Sequence, residues 1–255
     1  MNAPIISEIF KRVSKKHVNN LKQIPAKAKK ALLEEKRACR DECVGKIGYR
    51  VGERTGFLGV GREDSEDEVF SVRDEVLKFL CSKEATEPGY RVILVLESPH
   101  VNEYQGTPGP AKGVTGQRIK ENLVGVLLGR DLLEPGREYA LILMNAVQHQ
   151  CSLGVPTEHH RDAVFRAMWD EESVVTHFAR RLESYGGANG AIIVNACTRG
   201  DDTTAGEGSN GGDALKDKEL RRLVEGSIRR VRSAGSHLKV SHPSGWRISY
   251  WDSTS

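Results

Sequence analysis

This sequence lacks long apolar runs, an apolar leader and a rich supply of cysteine. No apolar run approaches the roughly 18 residues of a membrane span, and the N-terminus has no apolar signal core. We therefore expect a cytoplasmic protein with no membrane partner. Five widely spread cysteines, an odd number, argue against a disulfide framework. With 38% hydrophobic and 29% charged residues among 255, the chain has the composition of a globular protein that buries its core without staples.

Positive charge is concentrated in the first 50 residues. They hold 13 Lys and Arg against 5 Asp and Glu, whereas the remainder holds 25 against 30. A basic region on a mildly acidic body favours a polyanion partner, although a solvated helical arm has the same composition. We predict a basic helical N-terminal extension over residues 1–60, with helix over 5–45 and a glycine-rich loop or hairpin from residue 48. The body then covers residues 61–255.

Apolar strands and helical segments alternate from residue 91 onwards. The predicted strands are 91–96, 139–144, 190–195 and 237–241, and the predicted helices cover 115–128, 157–185 and 213–234. Short apolar strands separated by helices are typical of a parallel sheet with both faces covered. We therefore predict an α/β protein, a three-layer α/β/α sandwich with a four-stranded parallel sheet.

Polar residues follow each predicted strand at the point where it ends. They comprise carboxylate, amide, hydroxyl and imidazole groups: Glu97, Ser98, His100, Asn145, Asn195, Thr198, His242 and Ser244. In such a sheet the site lies at the carboxyl ends of the strands, so we expect these groups to gather there. Each also has a structural interpretation. Glu97 can cap a helix or pair with an arginine, Asn145 can form a turn, and His242 can close one.

The four strand ends, in this order, resemble the motifs of the uracil-DNA glycosylase superfamily. LESPH (96–100) is similar to the motif after the first strand, nearest the Gly-Glu-Ala-Pro-Gly version of the family 4 enzymes. GPAKGVTGQRI (109–119) resembles the glycine-rich stretch that follows in that family. LILMNAV (141–147) resembles the strand ending in the base-reading asparagine, and SHPSGWR (241–247) the His-Pro-Ser motif with its minor-groove wedge.

The resemblance implies a monofunctional DNA glycosylase, which flips a pyrimidine, hydrolyses its N-glycosidic bond and leaves an abasic site. In that scheme Glu97 stabilises the oxocarbenium-like sugar or orients water, and His242 stabilises the departing base anion. The resemblance assigns base binding to Asn145, Ser98, His100 and Gln117. It assigns DNA contacts to Ser244, Trp246 and Arg247, although Trp246 is equally compatible with a place in the core.

His100 departs from the family pattern, which leaves the target base open. Uracil is the default that the resemblance implies. A modified cytosine, such as the hydroxymethylated or glucosylated base of phage DNA, is the competitor, and it would place the protein in an anti-phage branch rather than in DNA repair.

Family 4 enzymes carry a four-cysteine iron–sulfur cluster, and the cysteines here do not match its spacing. We therefore expect no metal and no cofactor, and a monomer with DNA as its partner. No lysine stands at a strand end, Lys112 being the nearest, so a Schiff-base mechanism is not expected. Two other functions remain open: a catalytically inactive DNA-binding protein of glycosylase fold, and a nucleoside or nucleotide hydrolase.

Overall fold

The computed structural model describes residues 38–50, 55–60, 90–104, 108–151, 161–185, 191–200, 219–231 and 237–246. Within these ranges the strands are β1 (Glu42–Arg50), β2 (Thr55–Val60), β3 (Arg91–Leu96), β4 (Glu138–Asn145), β5 (Ile192–Asn195) and β6 (His237–Lys239). The α-helices are α1 (Val114–Leu128), α2 (Arg161–Trp169), α3 (Glu172–Ser184) and α4 (Leu220–Val231). Short 3-10 turns at Val101–Tyr104 and Pro243–Gly245 follow β3 and β6.

The strands form one sheet in the order β2-β1-β4-β3-β5-β6. β3 pairs in parallel with β4 and β5, and β5 pairs in parallel with β6. The predicted α/β class is confirmed, and so are the four predicted strands. The predicted strand number is too small, because β1 and β2 add an antiparallel hairpin beside β4.

The hairpin corrects the prediction for the N-terminal region. Residues 42–45 were predicted to be helical, yet they belong to β1, which pairs with β4 through contacts such as Ile47 opposite Tyr139. Val44 and Ile47 are completely buried, so their packing against the sheet outweighs local helix preference. The helical extension therefore does not include residues 42–50 or 55–60, and residues 1–37 and 51–54 of the prediction lie outside the described residues.

Both faces of the sheet carry helices, because β3 points alternate apolar side chains to opposite sides. Ile93 and Val95 face a core formed with α2, α3 and α4. Val92 and Leu94 face a second core formed with α1 and with Trp246 after β6. Within the described ranges, none of the helices combines the length and the apolar character that crossing a membrane requires.

Candidate active site

The ends of β3, β4 and β5 meet around Glu97. This residue follows β3 directly, and its backbone carbonyl accepts the Val147 N–H after β4 at 3.0 Å. Its carboxylate, on a residue only 5% exposed, accepts the backbone N–H of Thr198 after β5 at 3.3 Å. The Arg161 guanidinium of α2 lies 3.9 Å from Glu97 Oε1. Two elements contact this buried carboxylate and a third holds the backbone of Glu97, so the position of the residue is well defined.

His242 joins this group from the end of β6. Its Nε2 lies 3.6 Å from Glu97 Oε2. Its Nδ1 accepts the Ser244 N–H at 3.2 Å and lies 2.7 Å from Ser244 Oγ. Because Nδ1 is the acceptor, the neutral ring carries its proton on Nε2, the nitrogen that faces Glu97. The two interpretations of His242 are therefore compatible, since one ring nitrogen closes the turn and the other faces the carboxylate.

Asn145 is the last residue of β4, opposite Leu96 in the sheet register. The residue is 1% exposed. Its Nδ2 lies 3.3 Å from Glu103 Oε2 and 3.5 Å from Cys39 Sγ. Its Oδ1 is buried and makes no hydrogen bond within the described part of the chain. The predicted base-reading amide therefore has a fixed nitrogen end and an unsatisfied oxygen end.

Glu103 also lies at this site, although its sequence context does not predict it. It lies in the 3-10 turn after β3 and is 4% exposed. Burial raises the pKa of its carboxyl from 4.5 to about 8, and the negative charge of Glu97 raises the pKa as well. Hydrogen bonds from Asn145 and from the backbone of His100 and Ala111 lower the pKa and so oppose the effect of burial. The VNEY sequence (101–104) does not predict this burial, because the residues that cover Glu103 come from segments distant in the chain.

Cys39 lies beside both Glu103 and Asn145, and it was also not predicted to be a site residue. It is fully buried, and its thiol lies 3.8 Å from Glu103 Oε2, to which it can donate. Burial raises the pKa of the Cys39 thiol well above its ordinary value, and the charge of Glu103 raises it further. The segment before β1 therefore contributes to the site, although the prediction placed it in a helical arm.

Three predicted base-binding residues have different surroundings. Ser98 is half-buried, and its Oγ has no hydrogen-bond partner among the described residues. His100 is half-buried, and burial lowers its pKa, which favours the neutral ring at pH 7. Gln117 is exposed in the first turn of α1, and the described structure shows no contact between it and Glu97.

The three predicted DNA contacts also differ in their outcome. Ser244 is exposed, with its side chain on His242. Trp246 is 7% exposed and packs in the core beside α1, and its Nε1–H donates to the Ser241 carbonyl at 3.0 Å. The buried ring favours the core interpretation of Trp246, and the DNA contact at this residue stays a prediction. Arg247 lies outside the described residues.

A buried guanidinium holds the backbone at the end of β4, next to Asn145. Arg181 of α3 donates through Nη2 to the carbonyls of Asn145 and Ala146, each at 3.0 Å. Its Nη1 forms an ion pair with Asp41, whose side chain is 4% exposed. Arg181 thus joins α3, the end of β4 and the segment before β1. The sequence pattern does not mark Arg181 as a buried residue, since an arginine in an amphipathic helix is most often solvated.

Asn195, at the end of β5, has a structural role. Its Nδ2 donates to the Arg221 carbonyl and to Glu225 Oε2 of α4, each at 3.0 Å, and its Oδ1 accepts the Cys197 N–H at 3.3 Å. All three polar positions of this amide face the protein, which distinguishes it from Asn145.

No group of three His, Cys, Asp or Glu side chains suited to a metal ion occurs among the described residues. The sequence also places His149 and Cys151 near His159 and His160, a spacing that matches no recognised closed zinc site, and the last two of these lie outside the described residues. Comparison of the chain with protein-family models, with curated proteins and with solved structures found no match.

Proposed function

We propose that this protein is a monofunctional DNA glycosylase with a fold like that of the uracil-DNA glycosylases. It flips a pyrimidine out of DNA, hydrolyses its N-glycosidic bond and leaves an abasic site. The base is uracil or a modified cytosine, such as hydroxymethylcytosine or its glucosylated form, and the setting is DNA repair or defence against phage. The observation that carries the proposal is the approach of His242 Nε2 to Glu97 Oε2 at 3.6 Å.

Glu97 supplies the negative charge that the reaction requires. As the glycosidic bond breaks, its electron pair goes to the base and positive charge develops on the sugar. A carboxylate held by Thr198 N–H and Arg161 stabilises that charge and orients the water that attacks C1′. The water loses one proton as its oxygen bonds to C1′, and a proton neutralises the departing base anion, so that the products are a sugar hydroxyl and a neutral base. Since the residue is 5% exposed, bulk water screens this interaction little.

His242 supplies a donor for the departing base. The Nε2–H tautomer follows from the hydrogen bond that Nδ1 accepts from Ser244. A fixed N–H beside the site stabilises negative charge on a base oxygen, as an oxyanion hole does. The carboxylate and this N–H therefore act on opposite charges of the same transition state.

Asn145 is the candidate for reading the base, because its buried Oδ1 has no partner within the described residues. DNA as a partner is supported by the charge of the chain, whose first 50 residues hold 13 basic and 5 acidic side chains. Such a region attracts the phosphate backbone without regard to sequence. In this proposal the enzyme acts as a monomer and without a metal or cofactor.

The test is release of abasic sites by the pure full-length protein. The substrates carry uracil, hypoxanthine, hydroxymethylcytosine or glucosylated hydroxymethylcytosine at one position. Glu97→Gln should lower cleavage about 100-fold or more while DNA binding and folding remain. The matched control is Glu138→Gln, an exposed carboxylate on β4 that pairs with Lys46, and it should retain full activity.

Three outcomes would contradict the proposal in different ways. Full activity of Glu97→Gln would remove Glu97 from the mechanism. Salt-dependent DNA binding with no abasic sites on any substrate would identify an inactive DNA-binding protein. Base release from free nucleosides, but not from DNA, would identify a nucleoside hydrolase.

A further inference from the structure

The side-chain amide of Asn145 is engaged by the protein at one end only. Its nitrogen has two hydrogens to donate, and two acceptors lie beside it, Glu103 Oε2 at 3.3 Å and Cys39 Sγ at 3.5 Å. Its oxygen is buried and makes no hydrogen bond to the described part of the chain. Buried polar atoms in folded proteins are almost always hydrogen-bonded. The donor for Asn145 Oδ1 is therefore best sought in a ligand.

Glu103 determines which end of the amide faces the ligand. Its carboxyl accepts from the backbone of His100 and Ala111 as well as from Asn145, and the Cys39 thiol lies 3.8 Å from Oε2. Two of these donors are backbone groups that cannot turn away. Rotating the Asn145 amide by half a turn would place its oxygen against an oxygen of Glu103, which is repulsive while the carboxylate is ionised.

The orientation of the Asn145 amide determines which hydrogen-bonding groups of a pyrimidine base it can satisfy. Cytosine-type bases carry a 4-amino donor, whereas uracil-type bases carry a 4-oxo acceptor. An amide that presents only its oxygen accepts from the 4-amino group of a cytosine-type base. On a uracil-type base the same oxygen can pair only with the N3–H, which leaves the 4-oxo group in need of a donor. A 4-oxo group at the same place finds no donor, because both Asn145 hydrogens face Glu103 and Cys39.

We infer that Glu103, in its ionised form, is a positioning residue that turns the Asn145 oxygen toward the base, so that the site takes a 4-amino pyrimidine in preference to its 4-oxo counterpart. This inference rests on the proposed function, since it takes Asn145 as the residue that faces the base. It narrows the open choice between uracil and a modified cytosine to the cytosine type.

The test compares two oligonucleotides that differ only at position 4 of one base, 5-hydroxymethylcytosine and 5-hydroxymethyluracil. kcat/KM is measured at pH 8.5, above the pKa of about 8 for Glu103, so that most of the carboxylate is ionised. The wild-type protein should prefer the 4-amino base by about tenfold or more, the usual cost of one unsatisfied buried group. A preference for 5-hydroxymethyluracil would overturn the inference.

Glu103→Gln should bring the preference to within about threefold, because a glutamine can donate as well as accept and lets the Asn145 amide turn. Cys39→Ala is the second variant, should Glu103→Gln fail to fold. It frees one amide hydrogen for a 4-oxo group and should reduce the preference in the same direction. Glu138→Gln, at the opposite end of β4 from Asn145, is the control that should keep it. An unchanged preference in folded Glu103→Gln would show that Glu103 is merely structural.

Binding of the free bases separates this inference from the proposed function. If wild-type protein releases neither base from DNA, the proposed function fails, and the affinities for cytosine and uracil are then compared by ligand-detected NMR. Tighter binding of cytosine, lost in Glu103→Gln, supports the inference without catalysis. Equal binding of the two bases, or no binding of either, overturns it.

Discussion

Replacing Glu103 by glutamine should change how the stability of the fold depends on pH. In the folded protein burial raises the pKa of this carboxyl to about 8, against an ordinary value of 4.5. Between these two values the folded state holds a proton that the unfolded state has released. Stability therefore falls as the pH rises through this window. A neutral glutamine has no such proton, so its contribution does not change with pH.

The size of the effect follows from the displacement of the pKa. Each pKa unit corresponds to about 1.4 kcal/mol, so moving the value from 4.5 to about 8 costs the fold about 5 kcal/mol at full ionisation. The cost is absent below pH 4.5, grows as the pH rises and levels off above pH 8. Many small domains have a total stability of only about 5–15 kcal/mol, so the difference is large enough to measure.

Urea unfolding followed by circular dichroism at pH 5, 6.5, 8 and 9 measures this difference. The stability of Glu103→Gln relative to wild type should increase by several kcal/mol from pH 5 to pH 9, with little change in the denaturant slope. Glu138→Gln, whose side chain is 55% exposed, should give a curve parallel to wild type. If the Glu103→Gln curve also runs parallel to wild type, Glu103 is not a buried acid with a raised pKa.

Three further changes test the framework around the site. Arg181→Met should destabilise the fold by about 3–5 kcal/mol in urea unfolding, because it removes the positive charge that neutralises buried Asp41; adding Asp41→Asn should recover part of the loss, and no recovery would contradict the ion-pair explanation. Gly56→Ala should cost about 1–3 kcal/mol, since a Cβ there collides with side chains of α1. Gly226→Ala, which meets open space on α4, should stabilise by about 0.5–1 kcal/mol, so equal effects of the two would refute the packing argument. Deleting residues 1–37, which carry 10 basic and 3 acidic side chains, should weaken DNA binding most at low salt, and an unchanged affinity would assign this segment another role.

The predicted strands were reliable where a strand is buried on both faces. Residues 91–96 read RVILVL, and the structure places β3 over that same range, between β4 and β5. A short continuous apolar run between polar segments favours a strand that is buried on both faces. The β1–β2 hairpin was only partly predicted, because β1 is glycine-rich and charged in sequence and gains its stability from the edge of β4.

The site was predicted in part for a similar reason. Glu97 follows β3 directly and His242 lies three residues beyond the end of β6, so the order of the strands was enough to bring their side chains together. Trp246 was ambiguous, since an aromatic residue after a strand can pack inward or point outward. Glu103 and Arg181 could not be identified, because burial by distant segments, rather than any local pattern, gives them their roles.

The sequence by itself determined the four parallel strands, the polar residues at their ends and the basic character of the first 50 residues. These are properties of local pattern, namely apolar runs, turn residues and charge counts. Only the tertiary structure decided that Glu97 faces His242, that Glu103 is buried beside Asn145 and that Trp246 is part of the core. The physical reason is that pKa values, hydrogen-bond orientation and exposure depend on neighbours that are up to 145 residues apart in the chain, as Glu97 and His242 are, and folding alone brings those neighbours together.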